Sequence, residues 1–95
     1  MMDGRSLDQN LSLSTRVVIV GSGPAGATVA WKLAQRKIPV LVVEEGHPVD
    51  TVAASGIRAM SALYREMGTS IAMGPNPMPY LQGKAVGGTS VINGA

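Results

Sequence analysis

Six glycine-rich residues after one apolar run, a glutamate at the end of another, and a second glycine pair near the end of the chain are the features able to do chemistry. In Gly21-Ser22-Gly23-Pro24-Ala25-Gly26, Gly21 permits a tight turn and Gly23 lets a pyrophosphate approach a backbone that a Cβ would block. Gly26 lets the following helix lie close on the preceding strand. Phosphate charge would then meet free N–H groups at the positive end of that helix. A carboxylate at Glu44 can accept hydrogen bonds from ribose hydroxyls and repels a ribose phosphate, which disfavours a 2′-phosphorylated nicotinamide cofactor. Dinucleotide binding is the reading favoured here; the alternative is a structural turn in an α/β protein. The second cluster, Gly87-Gly88-Thr89-Ser90, is by itself a flexible loop. Its hydroxyls can cap a helix, and its N–H groups can hold anionic oxygens.

The elements that must position these residues follow from the apolar pattern. Val17–Val20 within Arg16–Val20 is a continuous apolar run, expected to be a strand buried on both faces. A helix is expected from Pro24 to Arg36, because Pro24 suits a first helical turn. Ala27, Ala30 and Ala34 supply a small-residue face, and Lys32, Arg36 and Lys37 suit its negative end. Pro39 forbids further helix, and Val40–Val43 makes a second buried strand. Strand, helix and strand of these lengths form a right-handed crossover with parallel strands. Residues 47–55 read as loop. Ile57, Met60, Tyr64 and Met67 fall at helical spacing, so Ser55–Met67 reads as an amphipathic helix stopped by Gly68. Met73–Leu81, with Gly74, Pro75, Pro77 and Pro79, is expected to be irregular, with Met73 and Met78 as gap fillers rather than metal ligands. A last short helix is expected from about Thr89.

Composition narrows the classes of function. The chain has 95 residues, of which 45% are hydrophobic and 15% charged, enough for one modest core. With no Phe, one Trp and two Tyr, it lacks the aromatic faces of a single-strand nucleic-acid platform. Its net charge of +2 is scattered, so no basic cluster marks a phosphate-backbone footprint and no nucleic-acid partner is expected. The absence of cysteine removes disulfides, zinc–thiolate sites and cysteine nucleophiles. The single histidine, His47, leaves no His pair for a metal and reads as a loop residue. Trp31 reads as partly buried packing. No run reaches the roughly 18 apolar residues of a membrane span, and Met1–Ser14 is too polar for a secretory signal. Residues 1–14 therefore read as a disordered tail, and the location as cytoplasmic.

Taken together, the two glycine clusters resemble a known family. Val17–Gly26, then Ala30 and Leu33, then Val40–Val43 ending in Glu44, resembles the FAD-binding start of glucose–methanol–choline (GMC) oxidoreductases. Gly83-Lys84-Ala85-Val86-Gly87-Gly88-Thr89-Ser90-Val91-Ile92-Asn93 is similar to that family's first signature. The resemblance implies an α/β, Rossmann-like FAD-binding unit with an incomplete parallel sheet, followed by one helix and a Gly/Pro-rich loop. It implies an enzyme in which hydride passes from an alcohol carbon to the flavin while a histidine takes the hydroxyl proton. By position, Gly21, Ser22, Gly23, Pro24, Ala25 and Gly26 would hold the FAD pyrophosphate and Glu44 the adenosine ribose. Lys84, Val86, Gly87, Gly88 and Thr89 would lie against the phosphates and ribityl chain, and Asn93 and Gly94 near the flavin ring. Glu45 joins this set or is a solvated loop charge, as Asp50 is; Lys84 contacts phosphate or is solvated.

Three departures accompany the resemblance. Lys37 stands where the flavin fingerprint usually has Gly, at a cost of roughly 1 kcal/mol if the chain turns left-handed there; a different turn through Ile38-Pro39 would avoid it. The segment between the two motifs is short for the family. The family's substrate domain and its histidine would lie beyond Ala95, so residues 15–95 read as part of an FAD-binding domain, truncated, with the alcohol substrate and a remaining C-terminal portion as partners. On this reading the 95 residues alone are inactive. Two other classes are weighed: a non-catalytic nucleotide-binding fragment, and the start of an NAD-dependent dehydrogenase, which would not need the second glycine cluster.

Overall fold

The computed structural model describes residues 1–49 and 56–92. Its centre is a strand–helix–strand unit: β1 (Val17–Val20), α1 (Pro24–Gln35) and β2 (Val40–Val43). β1 and β2 pair in parallel, with Val17 opposite Val40 and Val20 opposite Val43. Paired residues of a parallel ladder share a face, so Val17, Ile19, Val40 and Val42 lie on one side and Val18, Val20, Leu41 and Val43 on the other. α1 packs on the first side, where Gly26 lies over Ile19. The other side is open among the described residues: Val18 is 55% and Val20 86% exposed. The expectation of strands buried on both faces is corrected here, because a parallel sheet needs a layer on each side and α1 supplies one.

The end of α1 explains what the left-handed position does. Lys37 has φ +57°. Its N–H donates to the Ala34 carbonyl at 2.9 Å, and the Ile38 N–H donates to the Leu33 carbonyl at 3.0 Å. These are the two bonds of a Schellman cap, the motif in which glycine is the usual left-handed residue. The chain takes the turn with lysine rather than avoiding it through Ile38-Pro39, and then enters β2. Trp31 is 57% exposed, not packed inside; the Lys32 ammonium lies 4.7 Å from its ring centroid.

The second half of the chain departs further from its local pattern. α2 runs Gly56–Leu63 and stops before Met67. Tyr64 is extended, and Arg65–Gly68 forms a 3-10 turn in which Glu66 and Met67 are left-handed. A non-local pairing ends the helix. The Arg65 N–H donates to the Gln82 carbonyl at 2.8 Å, the Lys84 N–H donates to the Leu63 carbonyl at 2.7 Å, and Tyr64 bridges Gly83 antiparallel. The stripe of Ile57, Met60 and Met67 is exposed, and the side chain that α2 buries is Leu63. Periodicity misjudged the face because helical order stops where the Gln82–Lys84 segment takes over the backbone hydrogen bonds.

The Gly/Pro-rich stretch is also more regular than its composition indicates. β3 (Ile71–Ala72) and β4 (Met78–Pro79) pair antiparallel, Ile71 with Pro79 and Ala72 with Met78. Pro79 is tolerated because this strand is short and at an edge, where a missing N–H costs little. Met73 and Met78 are 84% and 67% exposed, so they fill no gap. The last expected helix is a 3-10 turn over Gly88–Val91. Residues 1–14 are exposed and contain a 3-10 turn over Gly4–Ser6, in which the Arg5 N–H donates to the Asp3 carboxylate. Part of the 47–55 loop, including Asp50, and the residues Asn93 and Gly94 lie outside the described residues.

Relieving the cap strain gives a direct test of the crossover. Lys37→Gly is expected to raise stability by about 1 kcal/mol, measured as a higher urea midpoint at unchanged slope. A lower midpoint would contradict the left-handed cap.

Candidate cofactor site

The site forms where β1 hands the chain to α1. The ladder is extended one residue past β1 by the Gly21 N–H, which donates to the Val43 carbonyl at 2.7 Å. Gly21 then turns left-handed at φ +91°, which glycine adopts without steric cost. Gly23 is the N-cap of α1 and has no side chain to bond the first turn; Pro24 follows it. The first-turn N–H groups of Ala25 and Gly26 have no acceptor within the helix. They present an uncapped, electropositive helix end of the kind that binds anions. Gly26 is required sterically, since a Cβ there would collide with the Gly21 carbonyl oxygen.

Glu44 follows β2 directly and reaches back to the turn. Its Oε2 accepts from the Ser22 N–H at 2.7 Å and from the Ser22 hydroxyl at 2.7 Å; its Oε1 accepts from the Gly46 N–H at 2.8 Å. Partial burial pushes the carboxyl up, but the hydrogen bonds from the Ser22 N–H, the Ser22 hydroxyl and the Gly46 N–H outweigh it. The net effect holds the Glu44 pKa below the ordinary glutamate value. The group is a fixed anion at neutral pH. A carboxylate has about four acceptor positions, and the Glu45 N–H joins the Ser22 and Gly46 donors that hold this one.

The second glycine cluster closes on the first. The Gly87 N–H donates to the Ser22 hydroxyl at 2.9 Å. Gly88 is left-handed at φ +70°, and a Cβ on it would come to 2.8 Å from the Gly23 Cα. Two glycine backbones thus touch across 65 residues of sequence. The loop is held from below. The Val86 N–H donates to the His47 carbonyl at 3.0 Å, Ala85 is fully buried, and Gly46 packs against the Ala85 backbone so closely that a Cβ would not fit. The Thr89 hydroxyl accepts from the Gly83 N–H at 3.1 Å, and the Ser90 hydroxyl donates to the Gly87 carbonyl at 2.9 Å.

The structure therefore gathers Gly21–Gly26, Glu44 and Gly87–Thr89 at one place, with Val86 half-buried behind them. Lys84 is exposed, tied by its backbone to Leu63. Glu45 points elsewhere, into an ion pair with Arg65. Sequence reasoning missed Gly46 and Gly83. Both are glycines in non-repetitive segments, and the signal available was that each must allow close backbone approach.

These residues fit an FAD nucleotide. The helix end offers unused N–H donors to a pyrophosphate, the paired glycine backbones leave no Cβ in its path, and the carboxylate at the end of β2 is of a kind that can accept from ribose hydroxyls. The family of FAD-dependent oxidoreductases matches residues 16–72, more than half of the chain. The chain belongs to the FAD-dependent oxidoreductase family. It is 39% identical over 97 residues to an uncharacterised GMC-type oxidoreductase of Sinorhizobium fredii (strain NBRC 101917 / NGR234), a match that covers 100% of this chain and 19% of the relative. It is 40% identical over 87 residues to an uncharacterised GMC-type oxidoreductase of Mycobacterium tuberculosis (strain ATCC 25618 / H37Rv), covering 80% of this chain and 13% of the relative. A thiamine thiazole synthase of Aeropyrum pernix is 40% identical over 47 residues, half of this chain. The chain thus spans less than a fifth of the length of the first GMC-type relative. No solved structure matches it. Membership of this family makes the cofactor FAD and the resemblance to GMC oxidoreductases a real kinship. Among the described residues no helix is long and apolar enough to cross a membrane.

Two outcomes follow for the site. Gly26→Ala is expected to destabilise the protein by about 1–3 kcal/mol, because the collision is with backbone. The Glu44 pKa is lower in the folded state, so its contribution is complete above the unfolded value and is lost as pH falls through the folded one. Urea titrations from neutral into acid pH should therefore show Glu44→Gln losing less stability than the wild type on acidification. Parallel losses in the two proteins would contradict the network.

Proposed function

We propose that the chain is the nucleotide-holding part of an enzyme that oxidises the CH–OH group of an alcohol. The observation that carries the reading is the meeting of the uncapped α1 end, the Glu44 carboxylate and the Gly87-Gly88 turn around Gly23. When bound, FAD supplies the two-electron acceptor for a hydride leaving the alcohol carbon.

The chain's residues bind and orient. The N–H groups of Ala25 and Gly26 hold the pyrophosphate, and Gly23 keeps its approach open. The Glu44 carboxylate accepts a ribose hydroxyl in exchange for one of its present donors, and its negative charge turns away a 2′-phosphate. Gly87, Gly88 and Thr89 flank the phosphates and ribityl chain, Lys84 adds positive charge at the rim, and Asn93 and Gly94 extend the contacts toward the flavin ring. His47 sits beyond Glu44, at the ribose end, and is given no part in proton transfer. The alcohol pocket and the base are assigned to sequence outside this chain, which is short beside its relatives. A dehydrogenase using NAD is disfavoured, because such a site needs the first glycine turn alone and leaves the second without a role.

The test is made on the full-length protein. It should purify yellow and release FAD, not FMN or NAD, on denaturation. Gly23→Val should lose the flavin, while Lys84→Ala weakens it less. A Cβ at Gly23 would lie 3.9 Å from the Gly88 Cα, an ordinary contact, so Gly23→Ala, which adds that atom alone, should also weaken flavin binding while keeping the wild-type urea midpoint, and separates the phosphate site from misfolding. A colourless protein that prefers NADP, or equal flavin content in Gly23→Val and wild type, would overturn the assignment.

A further inference from the structure

Ser22 lies inside the phosphate turn, yet neither of its polar groups faces outward for a phosphate. Its N–H donates to Glu44 Oε2 at 2.7 Å. A hydroxyl has one proton and two acceptor positions, and the proton of this one also goes to Glu44 Oε2, at 2.7 Å. One acceptor position is filled by the Gly87 N–H at 2.9 Å. An ionised phosphate needs donors, so the Ser22 hydroxyl can serve it only by releasing Glu44.

We infer that Ser22 is a positioning residue, a latch whose hydroxyl couples the two glycine loops through Glu44. The inference rests on the nucleotide site proposed above and adds a division of labour within it. Ala25 and Gly26 hold anionic oxygen, whereas Ser22 faces inward. It fixes the carboxylate that meets the ribose and fixes Gly87, and with it the turn that brings Gly88 onto Gly23. Without the hydroxyl, the Gly87 N–H loses its acceptor and Glu44 one of its donors. Nothing else in the side chain of residue 22 is needed, so threonine, which keeps the hydroxyl, should preserve the coupling and alanine should abolish it.

The experiment pairs a ligand-free readout with a ligand-dependent one in the full-length protein. Hydrogen exchange of the peptide covering residues 82–91 is followed by mass spectrometry after removal of flavin, and FAD affinity is then measured by fluorescence quenching. Ser22→Ala is expected to speed exchange in that peptide and to weaken FAD about tenfold, the scale of one hydrogen bond to a charged group; Ser22→Thr is expected to restore both. Ser22→Cys, whose thiol is a poor donor and acceptor, gives a second variant of similar size should the alanine protein fail to fold. Its exchange should also be faster than wild type. Unchanged exchange in both Ser22→Ala and Ser22→Cys would overturn the latch. Faster exchange in a protein whose wild type binds no FAD would support the latch and count against the nucleotide site.

Discussion

One carboxylate ties this structure together. Glu44 leaves the end of β2 and is held by donors from Ser22 and Gly46, so the second strand is fastened to the turn after the first by more than its ladder. A half-buried anion is costly unless hydrogen bonds replace its water. Here they do, and the lowered pKa of Glu44 records that they more than replace it. Because Ser22 passes the connection to Gly87, the position of the second glycine loop depends on the same group.

Steric necessity supplies the rest of the site. Gly26, Gly46, Gly83 and Gly88 each face backbone that a Cβ would strike. The three segments around β1, β2 and the 83–88 strip can meet only because their contact points carry no side chain. Close backbone approach leaves the N–H groups of the first α1 turn accessible, which is what an anion needs. The geometry that holds the fold together and the geometry that would receive a pyrophosphate are therefore the same.

Burial follows a different logic from the site. Among the described residues the buried apolar side chains are Leu63 and Ala85, at the places where the 83–85 strip crosses α2 and Gly46. On the α1 side Val17, Ile19 and Val40 are partly covered, while Val42 stays exposed at 38%; on the other side Val18, Val20 and Val43 are open. Parallel strands are rich in valine and isoleucine because they are built for two covered faces. The open face of Val18 and Val20 is the part of that design which these residues do not complete. The hairpin of β3 and β4 leaves Ile71, Met73 and Met78 exposed in the same way.

The amino-acid sequence by itself determined the crossover unit and the glycine turn that opens its helix. Four valine-rich residues, a glycine triplet opening a helix, and a second apolar run ending in Glu44 act over short distances, where propensity and sterics dominate. At Lys37 the departure from glycine was legible, but that the chain turns left-handed there rather than through Ile38-Pro39 was decided by the structure. What only the tertiary structure decided are the non-local pairings. The end of α2 at Leu63 depends on hydrogen bonds from residues 82–84, which no helical periodicity encodes. The pairing of Met78–Pro79 overrode a composition that argued against order. The meeting of Gly23 with Gly88, and the use of the Ser22 hydroxyl between Glu44 and Gly87, join residues far apart in sequence. Such contacts are selected by the packing of the whole chain and leave no local pattern to read.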